Sequence, residues 1–530
     1  MSKLDEFGKG EWISAYEKIG QGLHAPVFYS ALIRLDLVPT SLSDPSWDLS
    51  IGNGRPGFSF HFEGEKKVSS YVRPSDEGIE PLVLWRSFHG IRQGYWEVAE
   101  EFRLYFDLFE DRQNSKLILI DDNGDEEDAV ILSSDYVKVK LRLIKEFLAA
   151  KQMCLSLFFD FNRFSEKTLE ELRIEEFHET RKGDDYVFSI GARPWTFGGE
   201  DHRSHAFLMG KKLIPGAIDF NPSILGRQDR KFADFVIGVG ENGNEISHTC
   251  DEDRLANYFG KNPGSPQYVT PVFFRKAVLA KYYADPAKFS VEDGRVQCAG
   301  LWSLRLDNNH PDSVMVFLGD LGHLSYSEQL FWRSFNVASG KMSHTAFARS
   351  IEGKFEDPAD PALFFRQKFG SFQEAWRAKF GWKLFREMDE EDEYCFRTLR
   401  VPLTNGQKEF DEQVLAITKV FVDSLNEAEL EKRAVATKEN PKGLDKFESF
   451  LRTNGVRRPQ MVEFLRKLQA LRSVSVAHLK GKNYEKIKKF FGIEDGNLSM
   501  VFGEILVKCV WTLNSLTAEF LDSDTRRTDN

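Results

Sequence analysis

Residues 465–484 read LRKLQALRSVSVAHLKGKNY, and the reading of this stretch decides the architecture of the C-terminal part of the chain. Apolar Met461, Phe464, Leu465, Leu468 and Leu471 recur at three- and four-residue spacing, the pattern of a helix with one packing face. Pro459 stands where the first turn of a helix tolerates it. If the helix continues, His478 returns close to that face, seven residues beyond Leu471, while Arg472 borders it. An arginine and a histidine at the edge of a packing face would line a groove between helices. The spacing is not unique, since Arg55/His61, Arg173/His178 and Arg305/His310 share it. What separates Arg472/His478 from these is the setting.

That setting reads as helical throughout. Phe410, Val414, Ile417, Phe421 and Leu425 form one amphipathic stripe, and Leu444, Phe447 and Leu451 a short second one. Beyond the central helix, Leu498, Phe502, Ile505, Cys509, Leu513, Leu516 and Phe520 step by three and four residues for about six turns. Four helices joined by short links make a bundle. Over about residues 405–525 the chain resembles the HEPN superfamily, small helical bundles that carry an Arg, four to six residues, His motif near the third helix. The resemblance implies a metal-independent endoribonuclease with Arg472 and His478 as catalytic residues, no cofactor, and a homodimer formed through the bundle. It also implies RNA as the partner, with tRNA among the candidates. Ser473 stands where the family commonly has Asn, Asp or His.

The residue types suit that chemistry. Histidine, with an ordinary pKa near 6.5, can move a proton on or off the 2′-hydroxyl or the leaving oxygen at neutral pH. Arginine stays charged and offers a planar fork to the extra negative charge of a phosphorane. The formal charge of the chain is −11, which does not point to nucleic acid. From residue 441 to residue 490, however, 13 Lys and Arg face 4 Asp and Glu, a local balance of +9. Lys480, Lys482, Lys486, Lys488 and Lys489 are placed to hold a phosphate backbone. A solvated helix face is the competing explanation.

The other 400 residues read as α+β. Apolar content of 41% and charged content of 29% describe a soluble globular chain. No apolar run approaches membrane-spanning length, and the N-terminus has no signal-peptide pattern. Five scattered cysteines without a CxxC favour a reducing compartment, and a cytoplasmic location is expected. A strand-rich domain is expected over 1–165, where Phe58, Phe60 and Phe62 alternate as in a half-buried strand. Asn123-Gly124 marks a hairpin tip there, and 140–152 reads as helix before a buried strand at 153–161. A second α+β region is expected over 166–400, with strands at 186–190, 232–239, 268–274, 302–306 and 313–318. Glycine, proline and asparagine punctuate 191–226, which reads as loops. The aromatic-rich segment 363–385 is expected to pack against the preceding sheet. The acidic run at 388–393 reads as a solvated linker, and the bundle is expected to occupy 405–530 as a separate unit.

Other chemical signals are weaker. His202 and His205 lack a carboxylate at matching spacing, which favours hydrogen-bonded histidines over a metal site. Asp307, His310, Asp312 and Asp320 could form a hydrolytic cluster, although turn and cap roles explain them equally well. Gly238–Gly243 fits a hairpin better than a nucleotide loop. No metal site is expected. The layout as a whole resembles prokaryotic antiviral-defence and abortive-infection effectors, in which an N-terminal region responds to a trigger and the helical domain cuts RNA. Two alternatives stay open: a non-catalytic HEPN-like dimerisation protein, and a hydrolase with its site in the α+β region.

Overall fold

The computed structural model describes residues 8–522 except 21–24, 50–56, 73–76, 197–201, 218–229, 351, 390, 436–439 and 477–481. The side chains of 57–59, 72, 474–476 and 482–484 also lie outside the description. The chain is α+β, with strands gathered towards its N-terminus and helices towards its C-terminus. It divides into two compact units, Met1–Asp229 and Arg230–Asn530.

The first unit is built on an eleven-stranded antiparallel sheet. Its order runs Phe177–Lys182, Tyr186–Pro194, Ser204–Ile214, Met153–Ser165, Val27–Arg34, Trp12–Lys18, Tyr136–Lys140, Glu126–Leu132, Lys116–Ile120 and Phe109–Asp111, with Ile79–Glu80 beside Val27–Arg34. The central strand Met153–Ser165 shows the logic. Met153, Leu155, Leu157 and Phe159 enter the main core, together with Leu143, Ile144, Phe147 and Leu148 of the Leu141–Lys151 helix. The alternate residue Cys154 enters a smaller cluster with Ile33, Leu42, Val187 and Leu213. Near Cys154 in sequence, Ser156 donates to Asp48 at 2.6 Å, and Asp48 takes the buried Lys211 ammonium at 2.7 Å. Burying a lysine is tolerable only with such a partner.

Three expectations need correction here. The boundary at 165/166 would cut the sheet, because Leu155–Ser165 pairs residue for residue with Ser204–Ile214. The interval 191–226, read as loop, contributes the strand Ser204–Ile214, whose basic residues disguise it. Phe60 and Phe62 are 60% and 65% exposed, since the isolated hairpin of Gly57–Glu63 with Lys66–Val72 covers neither side chain. The Asn123-Gly124 tip is as expected, between Lys116–Ile120 and Glu126–Leu132.

The second unit begins with small sheets. Asp234–Val239 pairs with Glu245–Thr249, and Pro271–Arg275 lies between Ser313–Phe317 and Asn336–Val337. Phe289–Glu292, Arg295–Cys298 and Trp302–Arg305 form a meander that the sequence reading caught only at its last strand. These share one core around Phe274, Tyr282 and Trp332.

The bundle follows. Its long helices are α1 (Pro361–Phe380), α2 (Gln407–Thr418), α3 (Gly443–Thr453), α4 (Pro459–Val476), α5 (Lys482–Phe491) and α6 (Leu498–Leu516). The start of α1 is well specified. Asp360 caps it by accepting from the Ala362 and Leu363 amides at 2.9 and 3.2 Å, Pro361 takes the first position, and left-handed Gly381 (φ 76°) ends it. The Asp360 carboxylate also holds Lys276 at 2.8 Å, and Asn309 Oδ1 accepts from the Ala359 and Asp360 amides.

All the apolar positions expected on α2, α3, α4 and α6 are buried, in a single core. That core also takes in Phe365, Phe372 and Trp376 of α1, and Leu384, Phe385, Cys395 and Leu399 beyond it. The aromatic segment therefore packs into the bundle, with the Trp376 ring 5.3 Å from Phe520 and Phe365 5.5 Å from Phe421. The boundary expected at 400–405 runs through this core. The acidic run is tied down as well, because Asp392 pairs with Lys419 at 2.5 Å. Among the described residues, no helix is long and apolar enough to cross a membrane.

Candidate functional site

Arg472 sits four residues before the end of α4, one residue past the fully buried Leu471. That position takes its guanidinium to the edge of the packing face, where about a third of the side chain is exposed. It does not stand alone there. Nη1 donates to Asp423 Oδ2 at 2.5 Å, and among the described residues Asp423 is its hydrogen-bond partner. Asp423 closes a π-helical turn, Lys419–Asp423, that widens the end of α2. The same turn supplies Lys419, which reaches Asp392, while Arg386 donates to the Asp423 carbonyl at 3.2 Å. Two carboxylates thus meet three cations around the end of α2.

Burial raises the Asp423 carboxyl above the ordinary aspartate range, outweighing the pull of Arg472 and Lys419 in the other direction. A carboxyl raised by the fold binds its proton more readily in the native than in the unfolded state. Its charge therefore disfavours folding at neutral pH, and this penalty disappears as pH falls through its raised pKa. Accordingly, Asp423→Asn should melt at the same temperature as the parent protein or above it at pH 7, with the difference vanishing at about pH 3 and below, under the ordinary aspartate pKa. Calorimetry at the two pH values checks this, and a lower melting temperature at pH 7 would show that the ion pair holds the bundle together.

His478 and Lys480 lie outside the described residues. Lys482 opens α5, and its side chain lies outside the description. Lys486 and Lys489 are exposed on α5 and Lys488 is half-buried, while Ile487 and Phe491 anchor the helix in the core. Ser473, next to the arginine, bonds back to the Gln469 carbonyl at 3.0 Å and is exposed.

Two lysines missed by the sequence reading join this surface. Lys467 of α4 and Lys508 of α6 each place their ammonium near the Phe490 ring of α5, at 5.6 and 5.5 Å from its centroid. Lys467 stands five residues before Arg472, about 140° round α4 from it, so spacing along the helix does not bring the two together. Lys508 lies outside the basic run, and only the fold brings it in.

The carboxylates of the α+β region do not converge. Asp307 accepts from the Ser343 amide and hydroxyl at 2.6 and 2.8 Å, fixing the start of the His344–Ser350 helix. Asn308 bridges Glu292 and Gly294, and His310 Nδ1 faces Ser313 Oγ at 3.0 Å. Asp320 accepts from Tyr268 at 2.8 Å. Apart from the long-range Tyr268–Asp320 bond, these are turn and cap duties. His205 Nε2 meets Asn162 Oδ1 at 2.8 Å on the sheet of the first unit. Among the described residues, no three His, Cys, Asp or Glu side chains gather as a metal would require. In the first unit, a cleft of about 710 Å³ is lined by Tyr95, Trp96, Arg103, Glu110, Arg112 and Lys116 among others, with Arg103 and Arg112 both pairing to Glu110.

No family model, no curated protein and no solved structure matches the chain.

Proposed function

We propose that the bundle is a metal-independent endoribonuclease of HEPN type, the effector part of a defence protein whose strand-rich region receives the trigger. The observation that carries this reading is the position of Arg472. It emerges at the rim of a helical core with an exposed edge, held end-on through one Nη, so that Nε and Nη2 are turned to no acceptor among the described residues. A guanidinium presented that way can take a phosphate along its other edge.

In the proposed reaction the 2′-hydroxyl attacks the adjacent phosphorus. His478 transfers the proton, Arg472 stabilises the phosphorane, and the 5′-oxygen leaves to give a 2′,3′-cyclic phosphate. Lys480, Lys482, Lys486, Lys488 and Lys489 would hold the strand. The cleft beside Trp96, lined by Arg103, Glu110, Arg112 and Lys116, is the place in the first unit we assign to a small polar ligand. Incubating the protein with total RNA and with tRNA in EDTA, with His478→Ala alongside, tests the reading.

A second reading follows from the Arg472–Asp423 ion pair. A guanidinium already neutralised by an acid suits a non-catalytic bundle used for partner binding, and the same assay separates the two. In either case, two copies meeting through the bundle are proposed, because one bundle carries only one Arg472 and one His478. Sedimentation should give a dimer at micromolar concentration; a strict monomer that still cuts RNA would exclude this.

A further inference from the structure

We infer that the surface where α4, α5 and α6 meet is a stacking platform for unpaired bases of single-stranded RNA, with Phe490 and Trp511 as the stacking rings and Lys467 and Lys508 as flanking phosphate ligands. The choice of RNA as the polymer rests on the ribonuclease reading; the platform itself rests on the geometry. Phe490 and Phe491 are neighbours with opposite fates. Phe491 is buried and its ring lies 6.4 Å from Phe464, whereas Phe490 stays 37% exposed. Lys467 and Lys508 approach the exposed ring from the flanking helices, within cation–π range. One helical step beyond Lys508, Trp511 is 42% exposed on the same helix.

Rings beside ammonium groups distinguish this surface from a protein-docking face. The cores of protein interfaces are enriched in aromatics and depleted of lysine. Single-strand binders combine both, because each base offers a π-face and each nucleotide a negative charge. The charge here favours the polyanion: α5 holds four lysines against the single Glu485. Glu463 on α4 and Glu504 on α6 are exposed acids on the flanking helices and are outnumbered. A duplex hides the faces of its bases within the stack, so exposed rings select the unpaired strand.

The test uses the full-length His478→Ala protein, binding a fluorescent 12-nucleotide single strand and, separately, an RNA duplex of the same length over a range of salt concentrations. Phe490→Ala and Trp511→Ala should each weaken single-strand binding about 5-fold to 100-fold, the range expected for losing one base–aromatic stack. Duplex affinity should scarcely change. Phe490→Tyr and Trp511→Phe should retain binding, which separates lost stacking from lost folding. Lys467→Glu with Lys508→Glu should flatten the salt dependence. Equal affinity for single strand and duplex, or unchanged affinity in both alanine variants, overturns the inference. Conversion of a dimer to a monomer by Trp511→Ala, without RNA present, would assign the surface to a second copy and overturn it as well. If the parent protein cuts no RNA but single-strand binding still follows Phe490 and Trp511, the ribonuclease reading fails and the platform stands.

Discussion

His478→Ala and Arg472→Ala should each lower the rate of RNA cleavage at least about 100-fold, the usual effect of removing a positioned acid–base group or a charge-stabilising donor. The two losses have different origins. Without the imidazole, no group near neutral pKa exchanges a proton with the attacking or leaving oxygen. Without the guanidinium, the charge gathering on the phosphorane loses its fork of donors, and a lysine in its place supplies charge without that geometry. Cleavage should continue in EDTA and leave a 2′,3′-cyclic phosphate or its 3′-phosphate product. A 2′-deoxyribose at the cut site should block it by removing the nucleophile. Ser473→Ala should matter far less, since that hydroxyl is turned back onto the Gln469 carbonyl. Metal-dependent cleavage giving 5′-phosphates would place the chemistry elsewhere in the chain. An absence of cleavage would favour the interaction bundle, with Arg472 serving Asp423.

The second large effect concerns folding. A fragment beginning at residue 405 should fail to fold cooperatively, whereas one beginning at 359 keeps every helix of the core. The shorter fragment loses Phe365, Phe372 and Trp376, together with Leu384, Phe385, Cys395 and Leu399, all of which share the core with α2 to α6. Trp376 is fully buried, with its ring against Phe372, Trp382 and Phe520. Trp376→Ala in the full chain should cost about 3–5 kcal/mol, the scale for emptying an aromatic site. Urea unfolding followed by circular dichroism measures both effects. A sharp transition for the 405 fragment, with an unchanged midpoint, would show α1 to be an accessory. Limited proteolysis should correspondingly spare 391–407, since Asp392 ties that segment to Lys419 of the π-helical turn and Arg400 ties it to Glu409 of α2.

The helices of the bundle were legible because their signal is local. On α4 and α6 the three- and four-residue recurrence depends only on neighbours in sequence, and every apolar position it named is buried. The start of the bundle was not legible. Around 388–393 the charges suggest solvent, and nothing nearby reveals that Cys395 and Leu399 are buried by helices far along the chain. Ser204–Ile214 was missed for a related reason. Its Lys211 reads as polar, and only the pairing with Asp48, 163 positions away, makes it an interior residue. At the candidate site, α4 correctly placed Arg472 at an edge. Asp423 reaches Arg472, and Lys467 and Lys508 reach the Phe490 ring, through contacts between helices, which no spacing within one segment can reveal.

The Asp360 joint gives the second unit a mechanical character. One carboxylate closes the first turn of α1 and also grips Lys276, next to the strand Pro271–Arg275, while Asn309 clasps the two amides just before the helix. A displacement of that strand therefore pulls on the end of a twenty-residue rod whose other end is packed against Phe520. Tension applied at the sheet would reach the interior of the bundle without passing through a slack tether, and Lys276→Ala would loosen that linkage while leaving both cores intact.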